Sequence, residues 1–366
     1  MSTAVAVPRR LEGTVRIVGS GLLGASIGLG LRQQGVDVIV DDVSPAARSL
    51  AIDYGAGRAP GDHDDPALIV VCVPPDVTAD IVERELADYP AALVTDVASV
   101  KVAPLRELER RGADVSRYIG SHPMAGRERG GPISARADLF VGRPWVIAGH
   151  DGISYRAAAA LEDLVLDLGA TPIEMTPEEH DAGVAVVSHT PQVIASLMAA
   201  RLRDAPDASL GLAGQGVRDV TRIAASDPAL WVQILQANAG GVEQVLRAFR
   251  DDLDEVIDAL ADTAEPGALR TIAESIGAGN AGVARLPGKH GQSKTFTQVV
   301  VMVDDAPGEL GRLLTEMGEI GINLEDLRLE HSPGAQFGLA EVSVVPEHEE
   351  QLIDDLVKRG WTIAGT

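Results

Sequence analysis

Over the first half of the chain, short apolar runs alternate with longer segments of helical periodicity. Residues 15–18, Val-Arg-Ile-Val, read as a buried strand that runs straight into Gly19-Ser20-Gly21-Leu22-Leu23-Gly24 and then into a helical pattern through Gln34. Further strands follow at the spacing of βα units, over 36–40, over 68–73 closing on Pro74-Pro75, and over 92–95 closing on Asp96. The pattern continues through strands at 145–148 and 172–175, separated by an amphipathic helix over about 155–168. Strands alternating with helices predict an open, mostly parallel sheet of the doubly wound type, with the first domain closing at residue 176.

Beyond that point the texture changes to long helical segments, with no strand candidate before Phe296. Thr176 has the character of an N-cap, with Pro177 at the first helical position and Glu179 at capping-box spacing, so a helix is expected to start there. A long helix is expected from Trp231 to about Ala261, and its apolar positions Val242, Val245, Leu246, Phe249 and Leu253 suit burial against another helix, of this chain or of a second subunit. An all-α second domain therefore spans 177–280. Gly277 to Lys294, rich in glycine with Pro287 and basic residues, reads as linker, and the boundary is drawn at 281–294. The remainder, 295–366, shows strands at 297–303, 324–330, 339–345 and 361–363. Helices are expected after Gly308 and over 348–358, giving a βαββαβ order of the α+β class.

Length and charge narrow what these domains do. At 366 residues the chain is too long for one compact core, which agrees with two or three domains. The first ten residues carry no apolar core of signal-peptide length, and no later run reaches the roughly 18 to 20 apolar residues of a membrane span, so a cytoplasmic protein with no membrane role is expected. A formal charge of −23 argues against nucleic acid as a partner, and any anionic ligand must be held by local arginines against a repelling field. The single cysteine, Cys72, sits in an apolar run, which excludes an internal disulfide and predicts a buried strand thiol.

The candidate chemistry begins at the glycines. G-x-G-x-x-G lies here in its required context, strand before and helix after. Gly19 would permit the tight turn, Gly21 the approach of a pyrophosphate to the backbone and Gly24 the packing of helix on strand, with Leu22 and Leu23 opening the helix. The second strand ends in Asp41-Asp42, at the ~20-residue spacing of the carboxylate that binds an adenosine ribose. Strand alternation favours Asp42, and an acidic pair favours NAD over NADP; a flavin or non-nucleotide domain remains the alternative. Ligands of such sheets sit beyond the carboxyl ends of the strands, so Val73, Pro74 and the stretch from Asp96 to Lys101 should border the cofactor. Ser99 then lies near the nicotinamide end or caps a helix, and Lys101 is a surface residue or serves a phosphate or carboxylate.

His122 lies in Gly120-Ser121-His122-Pro123-Met124-Ala125-Gly126, where proline and glycines predict a loop that is neither helix nor strand. A loop histidine is a candidate general base or acid, and Arg127, Glu128 and Arg129 would surround it with charge; a solvated surface loop is the alternative. His180 and His189 are nine residues apart, about 180° on a continuous helix, which places them on opposite faces and excludes a helical zinc pair. Of the two, His189 is the better cleft candidate because Pro191 would disturb the helix there, although a structural histidine fits as well. Arg218 and Arg222 share a helix face and suit a carboxylate, or one of them pairs with Asp219. No metal set is expected.

Taken in order, Gly19 to Gly24, Asp96-x-x-Ser99-Val100-Lys101, His122-Pro123-Met124-Ala125-Gly126, Pro177-Glu178-Glu179-His180-Asp181, Ser188-His189-Thr190-Pro191, Arg218-Asp219-x-Thr221-Arg222 and Ser226-Asp227-Pro228-x-x-Trp231 resemble the prephenate/arogenate dehydrogenase family of tyrosine biosynthesis, over 13–265. The resemblance implies an NAD-dependent oxidative decarboxylation of prephenate to 4-hydroxyphenylpyruvate, or of arogenate to tyrosine. In it His122 takes the hydroxyl proton, Ser99 orients hydroxyl and nicotinamide, and Arg222 clamps the ring carboxylate. His189 lies by the pyruvyl side chain, and Glu128 and Trp231 shape the cavity. Gln215 departs from the run of small residues that many members carry, and an amide does not decide between the two substrates.

The C-terminal part resembles an ACT domain. That likeness implies pairing across a homodimer and an amino-acid effector, tyrosine, at a site framed by Asp305, Gly308, Gly321 and Asn323; a tail that only stabilises the oligomer is the alternative. A β-hydroxyacid dehydrogenase would need a glycine-rich helix start with a downstream lysine in the second domain, which is not found. A non-catalytic NAD-binding sensor with an ACT regulator remains as a reading from another class.

Overall fold

The computed structural model describes residues 9–126, 130–286, 296–331 and 337–364. Arg127, Glu128, Arg129 and most of the expected linker fall outside them. Strand β1 (Thr14–Val18), helix α1 (Leu22–Gln33), β2 (Val38–Asp41), α2 (Pro45–Asp53), β3 (Pro66–Val71), α3 (Pro75–Asp88), β4 (Leu93–Asp96) and α4 (Val102–Arg111) alternate along the chain. The four strands pair in parallel in the order β2-β1-β3-β4. Apart from half-buried Leu93, their valines, leucines and isoleucines are buried on both faces, as a parallel sheet covered by crossover helices requires. Cys72 follows β3 and is half-buried rather than buried within a strand.

Strand β5 (Gly120–Pro123) pairs antiparallel with β6 (Pro144–Ala148). After helix α5 (Ala159–Asp167), β7 (Thr171–Met175) pairs parallel with β6. The Ile119 amide donates to the Val94 carbonyl at 3.0 Å, which seats β5 beside β4 and carries the sheet across. His122 therefore lies in a strand, contrary to the loop expected from its glycines and proline. Pairing with β6 overrides local preference, and Gly120 is required for a separate reason: a Cβ there would meet the Lys101 side chain at 3.0 Å and Asp96 at 3.3 Å.

Helix α6 (Pro177–Val184) starts with the full capping box between Thr176 and Glu179. It passes through a π turn, Ala185–His189, into α7 (Thr190–Arg201). Helices α8 (Asp207–Leu210), α9 (Gln215–Thr221), α10 (Pro228–Ala237), α11 (Ala239–Ala261) and α12 (Ala268–Val283) follow. The single helix expected over 231–261 is broken at Asn238, whose side chain is bonded to residues on α6 and the π turn. Arg222 stands in a 3-10 turn after α9, so the shared helix face with Arg218 is interrupted. The glycines at 277, 279 and 282 lie in α12, so the expected linker begins later than residue 277.

Compactness does not break at residue 176. Residues 1–204 and 220–248 form one unit, and 205–219 with 249–366 form another. The helical run Pro177–Asp204 is by length and composition apolar enough to cross a membrane, contrary to the sequence expectation. It nevertheless carries buried His180, Asp181 and His189, which are bonded within the first unit.

In the second unit, β8 (Thr297–Asp304), α13 (Glu309–Ile320), β9 (Asp326–His331), β10 (Phe337–Val344), α14 (Glu349–Lys358) and β11 (Thr362–Ala364) form an antiparallel sheet in the order β11-β8-β10-β9. Alternate residues Val299, Val301, Val303, Ala340, Val342 and Val344 point into a core shared with Leu313, Met317, Leu352 and Leu356 of the two helices.

Candidate active site

The glycine loop after β1 is shaped from both sides. Gly19 has φ of 102°, and a Cβ on it would lie 2.3 Å from the Cys72 carbonyl oxygen. One on Gly24 would lie 2.0 Å from the Gly19 carbonyl oxygen. Gly21 meets nothing within 4 Å. The first and third glycines are thus demanded by the protein itself, and the second leaves bare backbone at the N-terminus of α1, the arrangement that admits a pyrophosphate. The Ser20 amide and hydroxyl donate to Asp42 Oδ2 at 2.7 and 2.8 Å, and the Ser44 amide donates to Oδ1 at 2.8 Å. Asp41 is instead committed to Arg16 at 2.8 Å and Arg48 at 3.1 Å. Burial would raise the Asp41 carboxyl, but the two arginines outweigh it and hold it below its ordinary value. Asp42 is half-exposed beside the loop and is bonded to no arginine among the described residues. Val73 and Pro74 follow β3, with Pro74 capping α3.

Beneath the site lies a buried charge cluster. Asp96 Oδ1 accepts from the Ala98 amide at 2.8 Å and from Lys101 Nζ, and Oδ2 accepts from the Tyr118 hydroxyl at 2.7 Å. Lys101 Nζ also donates to the Ser121 carbonyl at 2.6 Å, and the Lys101 and Asp96 side chains are both 0 % exposed. Burial pushes the Lys101 ammonium down and the Tyr118 hydroxyl up. Asp96 is therefore turned away from any cofactor, and Lys101 is neither a surface residue nor a ligand for a substrate anion. Ser99 does not cap α4. Asp181 does so from α6, accepting from the Lys101 amide at 2.8 Å and the Val102 amide at 3.0 Å. Ser99 is left half-buried just beyond the carboxyl end of β4.

His122, half-buried on β5, faces His180 edge to ring, with Nδ1 2.9 Å from His180 Nε2. His180 Nδ1 lies in turn 2.7 Å from Asp181 Oδ1. Burial, with the nearby His180, Lys101 and His189, holds the His122 imidazolium well below the ordinary histidine value. His189 is 1 % exposed, stands at right angles to Trp231 with ring centres 6.0 Å apart, and has Nδ1 3.2 Å from the Asn238 amide. Its Nε2 has no protein partner, and burial pushes its pKa down to about 4.

His180 and His189 thus act on one cluster, where a uniform helix would set them on opposite sides. The π turn advances fewer degrees per residue, and Pro191, which cannot donate to the carbonyl four residues back, lies just after it. Tyr118 and Asn238 carry no signal in the sequence, while Lys101, His180 and Asp181 stand in motifs there without the partners the fold gives them; the adjacent His180-Asp181 pair at a helix start is the local sign of their bond. Arg222 and Arg218 are exposed, Gln215 donates to Asp219 at 2.8 Å, and Glu128 lies outside the described residues.

Residues 27–174 match the model of the prephenate dehydrogenase nucleotide-binding domain, and 176–274 match that of the prephenate dehydrogenase dimerization domain. The chain belongs to the prephenate dehydrogenase family. Among its relatives, "Probable prephenate dehydrogenase NovF" of Streptomyces niveus is 35 % identical over 95 % of this chain and 98 % of its own length. The prephenate dehydrogenase of Bacillus subtilis is 24 % identical over 95 % of this chain and 96 % of its own. The prephenate dehydrogenase of Aquifex aeolicus, solved with hydroxyphenyl propionate and NAD+, superposes with a TM-score of 0.65 at 26 % identity, covering 75 % of this chain and 99 % of that one. The arogenate dehydrogenase of Synechocystis gives 0.61 at 26 % identity, covering 73 % and 99 %. The prephenate dehydrogenase domain matches end at residue 274, short of the C-terminal sheet.

Proposed function

We propose that this member of the family catalyses the NAD-dependent oxidative decarboxylation of prephenate to 4-hydroxyphenylpyruvate, with His122 as the base. The observation that carries the assignment is a neutral, half-buried His122 on β5, one strand from Ser99 at the end of β4 and on the same carboxyl edge of the sheet as the glycine loop. Bound NAD supplies the hydride acceptor. The ring nitrogen of His122 not engaged with His180 takes the substrate hydroxyl proton, Ser99 orients that hydroxyl, and Arg222 holds the ring carboxylate whose carbon leaves as CO2 while the ring becomes aromatic. His189 presents its bare Nε2 to the side chain, with Trp231 against its ring.

The active form is a homodimer, supported by the dimerization-domain match and by Phe249, Leu253, Ile257 and Leu260, exposed at helical spacing along α11. The C-terminal sheet is an ACT domain that binds tyrosine. Its βαββαβ order supports this. Asp305 and Gly308 stand at one end of the 12-residue helix α13, with Gly321 and Asn323 at the other, about 18 Å away at 1.5 Å per residue. A site framed by both therefore needs two copies.

The deciding assay is NADH formation with prephenate and, separately, arogenate, each with NAD and NADP, alongside His122→Asn. Turnover of prephenate with NAD should fall by about 10²- to 10⁴-fold in the variant, the range for losing a general base. For the wild type, kcat/KM should stay level through neutral pH and fall only well below 6.5, since only the imidazolium is inactive and burial depresses its pKa. Preference for arogenate would move the substrate assignment, and NAD binding without turnover of either would leave a sensor.

A further inference from the structure

We propose that His180 and Asp181 are positioning residues that fix His122 in its Nδ1–H tautomer and take over the positive charge it acquires. The inference rests on His122 being the base. Asp181 is 6 % exposed and accepts three hydrogen bonds, from the Lys101 and Val102 amides and from His180 Nδ1. Burial alone would raise its pKa, but these donors hold it below the ordinary carboxylate value, so it is an acceptor only. His180 Nδ1 must then carry the hydrogen. In neutral His180 this leaves Nε2 as a bare acceptor 2.9 Å from His122 Nδ1, so the hydrogen between the two rings belongs to His122 Nδ1. His122 Nε2 is left as a lone pair, the form a base needs. Each assignment follows from the one before it, and all start at a carboxylate anchored by the first turn of α4.

Proton transfer continues along the same line. The substrate O–H bond breaks and an Nε2–H bond forms on His122. Its Nδ1–H bond then breaks as an Nε2–H bond forms on His180, whose Nδ1–H remains bonded to Asp181. No electrons are exchanged in these steps, and the charge moves one ring closer to a carboxylate. A cation left on His122 is disfavoured by burial and by Lys101 at the start of α4 and His189 on the π turn, whereas on His180 of α6 it meets the Asp181 carboxylate. Asp96 beneath is already matched by Lys101 and Tyr118. His180 is 1 % exposed and makes no contact that requires it to meet substrate, which distinguishes its role from that of the base.

The test combines 15N NMR of histidine-labelled full-length protein with kinetics of His180→Gln and His180→Leu. In the wild type, His122 should show a protonated Nδ1 and an unprotonated Nε2, a readout independent of activity. His180→Leu should lower kcat by about 10²- to 10³-fold, within the range for a misdirected catalytic imidazole, with KM for prephenate changed less than about twofold. In His180→Gln the amide oxygen can accept from Nδ1–H but cannot take a proton. It should keep the tautomer and recover part of kcat. An Nε2–H tautomer in the wild type overturns the proposal, as does a His180→Leu protein with wild-type kcat whose His122→Asn counterpart is inactive; the second result leaves the base assignment standing. Full activity in His122→Asn removes the base assignment instead. If His180→Leu does not fold, His180→Gln and the wild-type spectrum carry the test.

Discussion

Replacing Lys101 by Met tests the cluster under the active site. The methionine stem fills the space of the lysine stem, so no cavity opens, but the Asp96 carboxylate loses its counter-ion in a setting where both side chains are 0 % exposed. Removing one member of a buried pair costs about 3–5 kcal/mol, because the other charge stays desolvated. Asp96 keeps its bonds from the Ala98 amide and the Tyr118 hydroxyl, which places this site at the lower end, about 3 kcal/mol. For a cooperative unit of 150–250 residues that corresponds to a fall in Tm of about 6–12 °C. Differential scanning calorimetry of Lys101→Met, Asp96→Asn and the double variant gives the coupling. The double variant should recover stability relative to Lys101→Met, since no charge is then left buried alone. Turnover should also fall, because Lys101 holds the carbonyl of Ser121, the residue before His122. A Lys101→Met protein melting within about 2 °C of wild type, or strictly additive losses in the double variant, would refute the account.

The glycine loop and the C-terminal sheet yield further expected outcomes. Gly21→Ala should melt like the wild type yet bind NAD more weakly, because its Cβ meets only the space assigned to pyrophosphate. Gly24→Ala, with its Cβ 2.0 Å from a carbonyl oxygen, should lose about 1–3 kcal/mol of stability as well as NAD affinity; unchanged NAD titrations for Gly21→Ala would contradict the loop assignment. Deleting residues 291–366 should abolish inhibition by tyrosine while leaving turnover measurable, and inhibition that persists would show tyrosine competing at the active site instead.

The parallel sheet, the glycine loop, the capped start of α6 and the βαββαβ order were legible in the sequence. Each is written in local terms: apolar runs of strand length, a turn that only glycine fits, or a capping box complete within four residues. The adjacent acids also part as strand alternation suggests, Asp41 going to Arg16 and Arg48 and Asp42 to the Ser20 amide and hydroxyl. What the sequence did not disclose depends on partners distant along the chain. His122 lies in a strand because β6 pairs with it, and Ser99 is displaced as a cap because Asp181 arrives from 80 residues away. Lys101 is buried because Asp96, Tyr118 and Ser121 close around it. His180 joins the cluster because a π turn breaks the regular rotation that any periodicity argument assumes. Local patterns determine most of the elements, β5 being one that its pairing with β6 makes. The active site is set by the burial of polar groups against one another, and buried groups must find partners wherever the fold places them.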